Sequence, residues 1–466
     1  MEHDAVDPTA DVPEQLLAAY AVAERLERIR TSASLPGVPA KTITETKAYA
    51  PLRMSQGLRL ILDGTYGNVL PEAVAILVRR NLLVPPYLLP SLLEKALQVL
   101  PEDPDYAADL IRIGGKRADW LAAQHPEWRV LSTAYDMATD WQREATPGRR
   151  LTLLQRWRTV APHAAREALA EIWPRQSPKN QERLLEGMVE NRSIEDHTWL
   201  LAQLAPKRKG VRRQLLRILL LAKEPSALED MIVIAASAFD SRGRLRNVLD
   251  DPEGKERLQR YGGLQRNESL AEYLLRLLPP STLPDLVGQT LSEFWAGLDK
   301  SQLKAAAEAV LAYEEPEVLA TFTKFSFGVN PAMLPLPLVV SIAAAVPQEP
   351  FTALIEQLLS EEKNVFHYGG IARLLVLARR APWSARISKA FILQLVATIR
   401  EVRDIPYGMQ QDLRAHWQLA TPLLELSIFP WLRTQLHSMT ERGDVFGKLA
   451  TNMLQTMHFR KTLIAT

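Results

Sequence analysis

Seven lysines and arginines (Lys207, Arg208, Lys209, Arg212, Arg213, Arg217, Lys223) fall between His197 and Lys223 with no acid among them. Most crowd into the turn "PKRKGVRR", at the start of an apolar helical stretch, where positive charge opposes the helix dipole. A local cost without a local benefit points to negative charge supplied from elsewhere. Three sources are open: acids of a neighbouring helix pair, an acidic protein surface, or nucleic-acid phosphate. On the partner readings Lys207, Arg208, Lys209, Arg212, Arg213 and Arg217 form an electrostatic binding site.

Other groups with chemical potential carry less. The Gly-Lys pairs at Gly115, Gly254 and Gly447 have Leu110, Leu249 and Arg442 where a phosphate-binding loop needs its first glycine, and none is followed by Ser or Thr. No histidine is followed by glutamate, and no G-x-S-x-G is present, so the common zinc-protease and serine-hydrolase signatures are absent. Cysteine is absent altogether, which removes disulfides, thiol nucleophiles and cysteine-based zinc sites. No catalytic residue, metal or cofactor is therefore expected.

The stretch "GGKRADWLAAQHPEWRVL" (Gly114 to Leu131) gathers two glycines, two tryptophans and His125. His125 has only Glu127 nearby as an acid partner, so it reads as a residue packing at a helix junction. Trp120 and Trp128 could stack a base or a proline-rich peptide. The ten tryptophans, however, scatter from Trp120 to Trp431, as expected of wedges between helices rather than of a stacking platform.

The elements that position these residues are helical almost throughout. In "TPGRRLTLLQRWRTV" Thr146 is a candidate N-cap, Pro147 occupies the first helical position, and Leu151, Leu154 and Trp157 make one apolar stripe. Ser177 and Pro178 repeat that opening, and Ser193 with Asp196 suggests a capping box. Proline-marked starts at Pro147, Pro178 and Pro206 lie about 30 residues apart, the scale of a two-helix repeat. A chain of 466 residues exceeds one compact core, so several domains or an extended array are expected.

The fold expected is all-α, a solenoid of degenerate HEAT-like helix pairs. Its expected parts are an N-terminal region (1–50) with one helix, a helical-repeat region (51–238), a polar insertion or linker (239–269) and a second helical-repeat region (270–466). The near balance of 56 Lys+Arg against 54 Asp+Glu gives no global pull toward nucleic acid or membrane. The acidic N-terminus reads as no secretory signal, and the longest apolar tracts are short or broken by Pro335 and Pro337. A cytoplasmic protein with no membrane contact is the expectation.

The Gly114–Leu131 stretch, with the helices after it, resembles a bacterial family of uncharacterised helical-repeat proteins over roughly Pro85 to Met231. That family's box G-x-R-x-x-W-L-A-x-x-N-P-x-W is met by Gly115 (or Gly114), Arg117, Trp120, Leu121, Ala122, Pro126 and Trp128. Glu171, Trp173, Pro174 and Arg183 match a second motif, and Lys207, Val211, Arg212 and Arg213 part of a third. His125 stands where the family has Asn. Gly115, Arg117, Trp120, Pro126, Trp128, Trp173 and Pro174 thus serve as a structural fingerprint. The resemblance implies a HEAT-like scaffold or adaptor that binds proteins, encoded beside a MoxR-type AAA+ ATPase and a von Willebrand factor A domain protein as possible partners. A DNA-glycosylase-like, nucleic-acid-binding HEAT protein using the basic turn 207–217 and a carboxylate such as Asp119 or Asp136 is the alternative.

Overall fold

The computed structural model describes residues 44–204, 208–240, 243–246, 251–330, 332–379, 381–401 and 406–464. The expected N-terminal helix and Lys207 lie outside them. Among the described residues the chain is all-α: two isolated β-bridges are the only extended pairing, and 24 α-helices follow one another.

The first four are α1 (Leu52–Leu62), α2 (Leu70–Arg80), α3 (Leu89–Val99) and α4 (Pro104–Gln124). Next come α5 (Met137–Arg143), α6 (Pro147–Val160), α7 (Pro162–Ile172), α8 (Pro178–Glu186), α9 (His197–Ala202), α10 (Lys209–Leu221) and α11 (Pro225–Ser237). After α12 (Pro252–Arg260) the chain runs through α13 (Leu270–Leu277), α14 (Thr282–Val287), α15 (Leu291–Ala296), α16 (Lys300–Tyr313), α17 (Pro316–Phe327) and α18 (Leu336–Ala345). It ends with α19 (Gln348–Glu361), α20 (Ile371–Ala378), α21 (Ala385–Glu401), α22 (Tyr407–Ala420), α23 (Phe429–Thr440) and α24 (Val445–Ile464). Seven of these begin on proline (α4, α6, α7, α8, α11, α12, α17), whose missing N–H is an unpaired group at a helix start anyway. The capping box at Ser193–Asp196 is present, one turn ahead of α9.

Many helices pack on their next-but-one neighbours, and others on adjacent helices, as α3 does on α4 and α23 on α24. The row α13–α16–α18–α20–α22–α24 forms one layer, and α15–α17–α19–α21 forms the second, with α17 also touching α16 and α18. In the first half α6–α8–α10 continues the same habit. No single described helix is long and apolar enough to cross a membrane; two helix pairs meet that test only when joined across bends of 116° and 119°.

Two apolar cores result. One spans Ala50 to Leu131 and takes in Leu463 from the end of α24; the other runs from Trp141 to Met457. The 239–269 segment contributes Leu258 and Tyr261 to the second core. Leu463 belongs to the first core because α24 returns to the start of the chain and lies against α1. Tyr66 and Phe459 stack with centroids 4.1 Å apart. Arg460, 2% exposed, pairs with Glu72 through both guanidinium ends (2.6 and 3.1 Å) and donates to the Thr421 and Leu424 carbonyls. The ladder therefore closes on itself.

The sharpest buried ionic cluster sits between α6 and α9. Arg158 is 0% exposed and Asp196 1% exposed; both Nη atoms of Arg158 bond the carboxylate, which also accepts from Arg166. Arg158 further donates to the Glu190, Asn191 and Pro162 carbonyls, so every nitrogen of this buried guanidinium has an acceptor.

Candidate functional site

The Gly114–Leu131 stretch is a helix bend. α4 breaks at Gly115, whose backbone (φ 70°, ψ −164°) is open to glycine and strained for other residues. The helix restarts beyond it, and Glu45 caps the new start by accepting the Arg117 N–H at 2.7 Å. A Cβ on Gly115 would stand 2.7 Å from that carboxylate. Arg117 lies over the Tyr49 ring at 5.9 Å.

Further along, His125 stacks on Trp128 at 4.3 Å, and Trp128 reaches the first core while its indole N–H donates to Glu94. Trp128 is buried, but Trp120 is only half-buried and Pro126 is exposed. Trp173 is buried and meets Trp199 edge-to-face at 5.4 Å; Pro174 beside it is exposed. Asp119 accepts from the Thr133 N–H and hydroxyl, and Asp136 caps α5 through Ala138 and Thr139. Hydrogen bonds from Thr139 hold the Asp136 carboxyl below the usual range. Both carboxylates are thus engaged in turns.

The basic run divides. Arg208 and Lys209 are exposed at the start of α10, and Arg217 is exposed further along it. Arg212 donates to the Gln259 and Arg260 carbonyls at the C-terminal end of α12. Arg213 grips Glu268 through both nitrogens at 2.7 Å, donates to the Gly263 carbonyl and lies 4.6 Å over Tyr273. Burial pushes the Glu268 carboxyl up, but the hydrogen bonds from Arg213 and Gln265 outweigh it and hold it below the usual range. The positive N-terminal end of α10 is met from α8: the Glu182 carboxylate lies against Gly210 in the first turn. Arg212 and Arg213 thus face the 259–268 segment, whereas Arg208, Lys209 and Arg217 are exposed.

A cleft of about 890 Å³ lies where the two cores abut, between the α3–α4 turn and α6. Arg149, Thr152, Arg156 and Thr159 line it at 3-4-3 spacing, a polar stripe on the α6 face beside its apolar one. At its base Tyr135 donates a short hydrogen bond to Asp140, which also meets Arg129 at 3.5 Å. Burial, then the Asp140 bond, pushes the Tyr135 phenol up to about 12. Arg156 stacks on Tyr135 at 5.1 Å and donates to the Val130 carbonyl. Sequence reading follows apolar periodicity and passes over this site; the i, i+3, i+7, i+10 polar stripe is the signal that marks it.

A second unusual group sits near α20 and α22. Arg373, 1% exposed, donates from Nε to His416 Nδ1 at 3.1 Å. Burial and the adjacent guanidinium depress His416 to about 4, and burial lowers Arg373 to about 10.

A model of a family of unknown function (DUF5691) matches residues 2–466, and the chain belongs to that family. No curated protein and no solved structure matches it.

Proposed function

We propose that this DUF5691 member is a HEAT-like helical-repeat solenoid that acts as a non-enzymatic scaffold or adaptor for protein partners. The observation that supports the reading best is the two-layer ladder α13 to α24, in which most helices pack on neighbours two or three places along. Stability then comes from nearest-neighbour stacking, and the outer faces stay free to recognise other molecules. The resemblance of Gly115–Trp128 and Glu171–Arg183 to helical-repeat proteins encoded beside a MoxR-type AAA+ ATPase and a von Willebrand A-domain protein supplies the partner class. Arg208, Lys209 and Arg217, exposed on α10, are the cationic residues available to an acidic protein surface.

The nucleic-acid alternative would need Arg212 and Arg213 for phosphate, and both already have partners in the 259–268 segment. Affinity capture with the full chain as bait should recover such an ATPase or A-domain protein. The triple variant Arg208→Glu, Lys209→Glu and Arg217→Glu should recover less. Recovery of neither protein, with no binding of purified candidates, refutes the partner reading. Duplex-DNA affinity that falls steeply with salt would favour the alternative.

A further inference from the structure

We propose that the cleft between the α3–α4 turn and α6 binds a small organic oxyanion, a phosphate- or carboxylate-bearing molecule, held by Arg143, Arg149 and Arg156. Four arginines reach one cleft; Arg129 meets Asp140, but Arg143, Arg149 and Arg156 have no carboxylate within ion-pair distance among the described residues. Elsewhere in the same helices the rule is the opposite: Arg158 and Arg166 converge on Asp196. The five acids that share the lining are held in other bonds or exposed to solvent. Asp140 takes Tyr135 and Arg129, Glu144 accepts the Thr146 N–H at 2.6 Å, and Glu102, Asp105 and Glu190 are exposed.

Arg156 is the least hydrated of the three. Its guanidinium rests on Tyr135, with one nitrogen on the Val130 carbonyl, and burial lowers its pKa. A cation drawn from water without a counter-ion gains from an anion placed beside it. Arg149 and Arg156 lie seven residues apart on one helix face, about 10 Å along the axis, so a molecule with two separated anionic groups can meet both. Leu100, Pro101, Val130 and Leu153 give the same cleft apolar wall for the rest of such a ligand, and about 890 Å³ is the size of an ordinary small-molecule site.

Calorimetric titration of the full chain at low salt, with pyrophosphate in one arm and citrate in the other, tests this. One-to-one binding of either probe is expected, and which arm responds identifies the oxyanion. The double variant Arg143→Gln/Arg149→Gln changes two exposed side chains and should weaken binding at least tenfold, with its unfolding transition unmoved. Hydrogen exchange on the unmodified chain should show probe-induced protection in residues 129–159. No binding in either arm, an unchanged affinity in the double variant, or protection confined to other segments would each overturn the proposal.

Discussion

Removing the Arg460 guanidinium should open the ladder where its ends meet. Arg460 is 2% exposed, holds both Glu72 oxygens and saturates two carbonyls of the 421–424 turn. Arg460→Met keeps most of the volume but strands Glu72 and leaves the Thr421 and Leu424 carbonyls short of donors. Breaking a fully buried pair costs roughly 3–5 kcal/mol; the Glu72 side chain keeps 22% exposure, so about 2–4 kcal/mol is the expectation here. Because the pair joins α24 to α2 and to the 421–424 turn, the loss falls first on local opening of that junction. Amide exchange in α1 and α24 should accelerate together, by about 30- to 700-fold. The double variant Glu72→Met/Arg460→Met should recover much of the protection, since an apolar pair replaces a stranded charge. Faster exchange in α24 with α1 unchanged would show that the two ends are not held together and would refute the reasoning.

Three more outcomes follow from individual sites. Gly115→Ala forces a side chain into a positive-φ position against Glu45 and should cost about 1–3 kcal/mol by chemical denaturation; an unchanged midpoint contradicts the bend geometry. Trp128→Ala removes a buried ring and should cost roughly 3–5 kcal/mol, whereas Trp120→Ala removes a half-buried one and should cost clearly less; equal losses would put Trp120 in the core. His416 titrates near 4 when folded and near 6.5 when unfolded, so the unfolded chain binds the extra proton between those values. Stability present above pH 6.5 is therefore lost as pH falls toward 4, by about 1–3 kcal/mol. Protonation also removes the acceptor for Arg373 Nε. His416→Gln should flatten that slope in thermal unfolding scans, and an unaltered slope would assign it to other groups.

The helices were legible because their signals are local. Pro147, Pro178 and the Ser193–Asp196 box announce starts within one turn, and Leu154, Leu184 and Leu215 mark the buried stripes. Pro206 lies outside the described residues, and α10 begins at Lys209. The basic turn was visible as charge, but the partners of Arg212 and Arg213 lie 47 to 55 residues downstream, beyond any local pattern. Closure was not legible for the same reason, because Glu72 and Arg460 are 388 residues apart. Trp120 and Trp128 share a motif yet differ in burial, because the bend at Gly115 and the turn at Pro126 set which ring faces the core. The cleft went unread because its stripe is polar, and polar periodicity on an amphipathic helix ordinarily means solvent.

The scaffold reading is tested most directly by sedimentation of the purified chain mixed with a MoxR-type AAA+ ATPase and a von Willebrand A-domain protein from the same source. A new, faster-sedimenting species containing the chain is the predicted result, weakened when Arg208, Lys209 and Arg217 become glutamate. Separate boundaries for all components at micromolar concentrations would contradict the account.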